Sequence, residues 1–228
     1  TMINSLNHRG PDSNDYWIDQ KSEVCFGHTR LAIQDISDKG SQPMHSKTDR
    51  YVIIFNGEIY NHLELRKLIP EEIWHGRSDT ETLLSVIERY GIKKTLEMIK
   101  GMFAFALWDK KDKQLYLARD RIGEKPLYYG WQNNTFFFGS ELKALQKHPL
   151  FKNVICKKAI SSFIRYSYIP SPLSIYEGIY KLKPGNFLKT NISSKKINIT
   201  PYWSLHNLIN SKNQRDFISE IELIDELD

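Results

Sequence analysis

Residues 51–55, YVIIF, form an unbroken apolar, β-favouring run, a pattern that predicts a strand buried on both faces. Asn56-Gly57 follows and is a strong local signal for a hairpin turn. The residues after it do not read as a returning strand. Asn61 can cap a helix with Glu64 three positions on, as in a capping box, and Leu65, Leu68 and Ile69 then face inward. A second helix is predicted over SDTETLLSVIERYG: Ser78 and Glu81 suit its start, Leu83, Ile87 and Tyr90 its buried stripe, and Gly91 its stop. KKTLEMIKG predicts a further short helix. Strand patterns then come in quick succession at MFAFALWD, QLYLARD, PLYYGW and TFFFGS, with turn chemistry between them. SELKALQKH and KKAISSFIRY read as helices, and KPGNFLKT with KKINITPYW reads as a late hairpin. SEVCFGHTRLAIQDIS reads as extended. Phe217, Ile221 and Ile224 recur at helical spacing near the end.

Strand runs separated by helix pairs indicate an α+β chain with antiparallel sheets packed under helices. Its 228 residues, 40% hydrophobic, suffice for one large core or two small ones. No apolar run reaches membrane-spanning length, so no membrane association is expected. Cys25 and Cys156 are too few for a disulfide framework, which favours the cytoplasm. The net charge of +5 invites a nucleic-acid reading, but the lysines are scattered rather than gathered on one element, and no nucleic-acid partner is expected.

Four polar features stand beside apolar strands: Arg30, Asn56-Gly57, Glu58 and Asp79. Singly, each has an ordinary reading as a surface ion pair, a turn, a solvated strand end or a charge on the first turn of a helix. Together they match one small ligand. Arg30 can grip an α-carboxylate through two hydrogen bonds, and Glu58 and Asp79 can hold an α-ammonium, which offers three donors. Asn56 and Gly57 can direct a side-chain amide N–H and a backbone N–H at one oxygen, the arrangement of an oxyanion hole. The chemistry suggested is recognition of an amino acid beside acyl transfer.

At these residues the chain resembles a known family. HRGPD (8–12), GHTRLAI (27–33), QPM (42–44), FNGEIYN (55–61), SDTE (78–81), GMFAFALWD (101–109), RDRIGEKPLYY (119–129), GSELKAL (139–145) and KLKPG (181–185) occur in order. They resemble the class II glutamine amidotransferase domain of glutamine-hydrolysing asparagine synthetases, over nearly the whole chain. The resemblance implies an N-terminal-nucleophile hydrolase fold, a four-layer αββα sandwich of two antiparallel sheets between helices. It implies L-glutamine as substrate, with its carboxylate on Arg30, its ammonium on Glu58 and Asp79, and its oxyanion on Asn56 and Gly57. Groups around Ile33 and Gln34 would complete the pocket.

In that family an N-terminal cysteine attacks the side-chain amide and its own α-amine serves as base. This chain opens on TMINSLNHRG, within the helix that should follow that cysteine, so the nucleophile is expected to be missing and the chain alone inactive. Thr1 is expected to sit away from the pocket, Cys25 to be a buried strand thiol, and a Cys25–His28 pair to make no metal site. Residues 1–205 are expected to form the amidotransferase domain. Residues 206–228 would lead to an absent synthetase domain of the same polypeptide, where ATP and Mg²⁺ would belong, with no cofactor in this domain. A homodimer is allowed. The charges of RDRIGEKP suit a structural ion-pair network or an interdomain face. Two rival readings stand beside the asparagine synthetase: an amidotransferase acting on a sugar carboxylate in polysaccharide synthesis, and a non-catalytic glutamine-binding module.

Overall fold

The computed structural model describes residues 1–212. A 3₁₀ helix, η1 (Ile3–Arg9), leads into an antiparallel pair, β1 (Ser13–Asp19) and β2 (Val24–Arg30). After a short 3₁₀ turn come β3 (Met44–His45), β4 (Tyr51–Ile59), α1 (His62–Lys67), α2 (Asp79–Tyr90) and α3 (Ile92–Met98). Next follow β5 (Gly101–Asp109), β6 (Gln114–Arg119), β7 (Tyr128–Gln132), β8 (Thr135–Gly139), α4 (Leu142–Leu145) and α5 (Lys157–Tyr166). The described chain closes with β9 (Tyr180–Lys181), the hairpin β10 (Asn186–Thr190) and β11 (Ile197–Pro201), and α6 (Leu205–Lys212). The helical spacing of Phe217, Ile221 and Ile224 lies outside the described residues.

Six strands form one sheet in the order β11-β10-β6-β5-β4-β3; β8-β7-β9 form a second, and β1-β2 a separate pair. Three cores set the layering. Ile53, Phe55 and Phe103 on one face of the large sheet pack under Leu65, Leu83, Ile87 and Leu96 of α1–α3. Val52, Ala106 and Leu117 on its other face meet Phe26 of β2 and Tyr129 of β7. Phe137 of β8 and Leu145 of α4 form the third core, outside the small sheet. Helices therefore cover a double layer of sheet on both sides, the expected αββα order. The inner layer is anchored at Trp108, which is 1% exposed and donates its indole N–H to Asp19 Oδ2 at 3.2 Å, joining β5 to β1. Burying so large a side chain stabilises by about 2–3 kcal/mol.

The small sheet and the β1-β2 pair occupy one layer, yet β2 and β8 do not pair with each other. Among the described residues no strand fills the gap between them, across which the Phe26 and Phe138 rings meet edge to face at 5.5 Å. Outside this gap η1 lies so close to β2 that a Cβ at Gly27 would come within 2.7 Å of Ile3. Glu141 ties η1 to the start of α4 through Arg9 at 3.1 Å and His8 at 3.0 Å.

Several local expectations are corrected. Asn56-Gly57 is no turn: β4 continues through both to Ile59, each residue paired with β5. Asn61 precedes α1, but its side chain does not cap it. It bonds instead to Met98 O and Lys100 N, which pin the end of α3. Leu68 and Tyr90 are exposed, because α1 ends at Lys67 and α2 turns its last residue outward. Ser78 does cap α2, accepting from Thr80 N, whereas Glu81 reaches back to the amides of His75 and Gly76. The strand SNDYWID was not foreseen; its inward positions are too few to carry a period-2 signal.

RDRIGEKP is not an ion-pair network. Arg119 donates to the carbonyls of Lys125, Leu182 and Gly123, at 2.6–2.7 Å. Asp120, 1% exposed, accepts the amides of Gly123, Glu124, Lys125 and Phe103. Arg119 and Asp120 both spend their charge on backbone, and together they mould the loop between β6 and β7.

Candidate active site

β2 and β4 belong to different layers, and the cleft between them carries the polar groups singled out above. Arg30, Ile33, Gln34, Asn56, Gly57, Glu58 and Asp79 all line one cavity of about 900 Å³, which extends into the gap between β2 and β8. A strand's side chains alternate faces. Phe26, His28 and Arg30 therefore point inward, and Cys25, Gly27 and Thr29 outward. The guanidinium of Arg30 donates to Asp35 O, so the loop after β2 folds back around its own arginine. A Cβ on Gly40 would come within 2.5 Å of Arg30 Nη2, which leaves a glycine as the wall of that niche.

Asn56 and Gly57 owe their placement to strand register. Phe103 of β5 spends its N–H on Asp120 Oδ2 and accepts Asp120 N, both on the side away from β4. Gly57, opposite Phe103, is thus in a non-hydrogen-bonded pair, and its N–H faces the open edge of β4 beyond the two-residue strand β3. Gly57 has φ +155°, and a Cβ there would come within 2.1 Å of Met102 O, so only glycine fits. The Asn56 side-chain nitrogen is buried and has no hydrogen-bond partner among the described residues. A buried donor left unpaired costs about 1–3 kcal/mol, a cost that a bound oxygen would remove.

Opposite them stand two acids. Asp79, 7% exposed in the first turn of α2, accepts Ile59 N at 2.9 Å. Burial raises its pKa, and the nearby Glu58 raises it further. Glu58 accepts from Gln34 Nε2 at 2.9 Å. Among the described residues neither acid makes an ion pair. Two close carboxylates without a cation form a site that a ligand ammonium would stabilise.

Sequence reasoning missed two residues here. His28 sits two positions before Arg30 on the same face, which was the available signal. Its Nε2 lies 3.2 Å from Phe55 O, and a carbonyl only accepts, so Nε2 carries the hydrogen. The lone pair of Nδ1 is buried and unpartnered. Burial, aided by Arg30, depresses its pKa to about 4 and keeps the ring neutral. Gln42, which accepts from Phe55 N and donates to Thr80 Oγ1, is the second.

Two expectations about nucleophiles change. Thr1 lines the cleft rather than lying away from it, because the cleft runs out through the gap that η1 borders. Cys25 is exposed on the outward face of β2, not buried. Its thiol is nonetheless pushed up by the protein around it, away from the reactive thiolate. Odd spacing puts Cys25 and His28 on opposite faces, so they form no pair.

The αββα layering is that of the N-terminal-nucleophile hydrolase fold. The glutamine phosphoribosylpyrophosphate amidotransferase of B. subtilis shares the fold, with a TM-score of 0.57 at 21% identity over 79% of this chain and 35% of that one. The chain belongs to the glutamine amidotransferase domain family, whose model matches residues 1–203. Among curated relatives, the asparagine synthetase [glutamine-hydrolyzing] 3 of Bacillus subtilis is 38% identical over 90% of this chain and 33% of its own length. The amidase chry2 of Gibberella zeae is 31% identical over 98% of this chain and 32% of its own. The chain spans 29% to 43% of the length of the first relatives it matches. Among the described residues no helix is long and apolar enough to cross a membrane.

Proposed function

We propose that this domain hydrolyses L-glutamine and supplies the ammonia to a synthetase part of the same polypeptide, in the cytoplasm, for amidation of ATP-activated aspartate. The observation that carries this reading is the shared cleft: a guanidinium, two unpaired acids, an unpartnered amide donor and an edge-facing glycine N–H all front one hollow. Arg30 takes the α-carboxylate, and Glu58 with Asp79 the α-ammonium. The side-chain carbonyl then lies against Asn56 and Gly57. Ile33 and Gln34 wall the loop side, Gln34 steering Glu58.

The nucleophile, in this reading, is a cysteine on an extended segment that fills the gap between β2 and β8. Two open strand edges flanking the cleft are what such a segment pairs with. Its sulfur attacks the amide carbon, and the developing oxyanion is held by Asn56 Nδ2 and Gly57 N. The C–N bond breaks, the nitrogen takes up the thiol proton and leaves as ammonia, and water then cleaves the thioester to glutamate and free thiol. Oxyanion donors of this kind contribute about 3–4 kcal/mol each. ATP and Mg²⁺ do not fit here: a triphosphate would meet two carboxylates and a single arginine. They belong to the synthetase part.

The test is calorimetric titration of L-glutamine into the full-length protein, alongside its glutaminase rate. Binding that Arg30→Ala weakens at least tenfold is expected. Unchanged binding in Arg30→Ala and Asp79→Asn would overturn the reading.

A further inference from the structure

β3 covers β4 only at Val52 and Ile53. Beyond it the outer edge of β4 lies open, and this is the edge that carries the oxyanion donors. Phe55 is the first residue on that stretch whose backbone groups point outward, and side chains rather than a strand satisfy both of them. Gln42 Oε1 accepts Phe55 N at 2.6 Å, and His28 Nε2 donates to Phe55 O at 3.2 Å. The two come from different elements, one from the loop before β3 and one from β2 in the other layer.

Gln42 has a second contact. Its Nε2 donates to Thr80 Oγ1 at 3.3 Å, and Thr80 follows Asp79 in the first turn of α2. Thr80 is 2% exposed, so this link is walled off from competing water. One glutamine thus spans from the strand of the oxyanion donors to the helix of an ammonium-binding acid.

We propose that Gln42 and His28 are positioning residues that clamp Phe55 and thereby hold Asn56 and Gly57 at a fixed distance from Asp79. The proposal rests on the glutaminase reading for its catalytic consequence, but the clamp itself does not. An oxyanion hole works only when its donors are already placed where charge develops, so a loosened β4 edge should slow the chemical step more than it weakens substrate binding. The substrate head group is held elsewhere, by Arg30, Glu58 and Asp79.

The test uses the full-length protein with Gln42→Met, His28→Leu and His28→Gln. Methionine keeps the volume of Gln42 and removes both hydrogen bonds, whereas glutamine at position 28 keeps a donor for Phe55 O. Glutamine hydrolysis by Gln42→Met and His28→Leu should lose about tenfold in kcat with KM within about twofold, and His28→Gln should recover most of it. The double variant Gln42→Met/His28→Leu should lose less than the product of the singles, because both act through one residue. Hydrogen exchange at the Phe55 amide should accelerate at least tenfold in Gln42→Met. Unchanged protection of that amide overturns the clamp, and so does wild-type kcat in Gln42→Met or a loss confined to KM. If His28→Leu does not fold, Gln42→Met carries the same test. A wild-type protein inert towards glutamine would overturn the glutaminase reading instead, with the exchange measurement still deciding the clamp.

Discussion

The carboxylate of Asp79 accepts the amide of Ile59 at 2.9 Å, so the first turn of α2 is bonded to the end of the strand that carries Asn56 and Gly57. The bond leaves the acid buried with no cation, and the pKa rises chiefly through lost hydration. Because the folded value lies above the unfolded one, the folded state binds the extra proton. The stability this adds is complete below the ordinary aspartate range and disappears as pH rises through the folded pKa.

Asp79→Asn should therefore melt no lower than the parent at pH 7, since asparagine keeps an acceptor for Ile59 and sheds a poorly solvated charge. Glutamine affinity should nonetheless fall at least tenfold, as one of the two proposed ammonium partners is lost. Paired thermal melts and titrations check both. A variant that melts far lower would mean that Asp79 serves the fold first.

His28 carries the opposite linkage. Its folded pKa of about 4 lies below the ordinary 6.5, so the unfolded chain binds the proton first as pH falls. Its contribution is complete above 6.5 and is lost between 6.5 and 4, with a ceiling of roughly 3 kcal/mol. Urea unfolding at pH 7 and pH 4.5 should show parent and His28→Gln diverging in pH dependence, the parent losing more on acidification. Parallel curves would mean the ring is solvated.

Much of this was legible before any coordinates. The helix from Ser78 and strands β4, β5 and β6 follow from spacing alone, because each presents a long apolar face to a core, whereas the two-residue β3 carries no such signal. Asn56-Gly57 allowed both a turn and a site for a physical reason. The dipeptide that favours a tight turn also suits a strand where another backbone passes too close for a Cβ, and only the Met102 carbonyl decides between them. Arg30, Glu58 and Asp79 were recognisable because charge beside apolar runs calls for an explanation. Gln42 and His28 were not, since their partners are backbone groups of Phe55, distant in sequence, and no local pattern encodes such a pairing.

Arg119 makes a separate prediction about the loop between β6 and β7. Its planar fork reaches three carbonyls at once, a geometry an ammonium cannot copy. Arg119→Lys should cost about 2–4 kcal/mol, since at least one buried carbonyl loses a charged donor. Denaturant titration measures it. A loss below about 0.5 kcal/mol would show that the loop holds without the fork.

Gly40 offers a way to disturb Arg30, the carboxylate anchor of the proposed function, without replacing it. Its backbone is not in the left-handed region, so alanine is conformationally acceptable there. The added methyl would meet Arg30 Nη2 at 2.5 Å, the end of a long side chain that can swing aside once its bond to Asp35 O is given up, and Asp35 O itself at 3.2 Å, where the loop need give only slightly. The fold should survive with a loss of about 1 kcal/mol or less, while the guanidinium leaves the niche that directs it into the cleft. In the full-length protein, KM for glutamine should rise about tenfold with kcat nearly kept, the signature of lost binding shared by ground and transition states. If kcat falls instead and KM holds, Arg30 acts on the reacting amide rather than on the carboxylate.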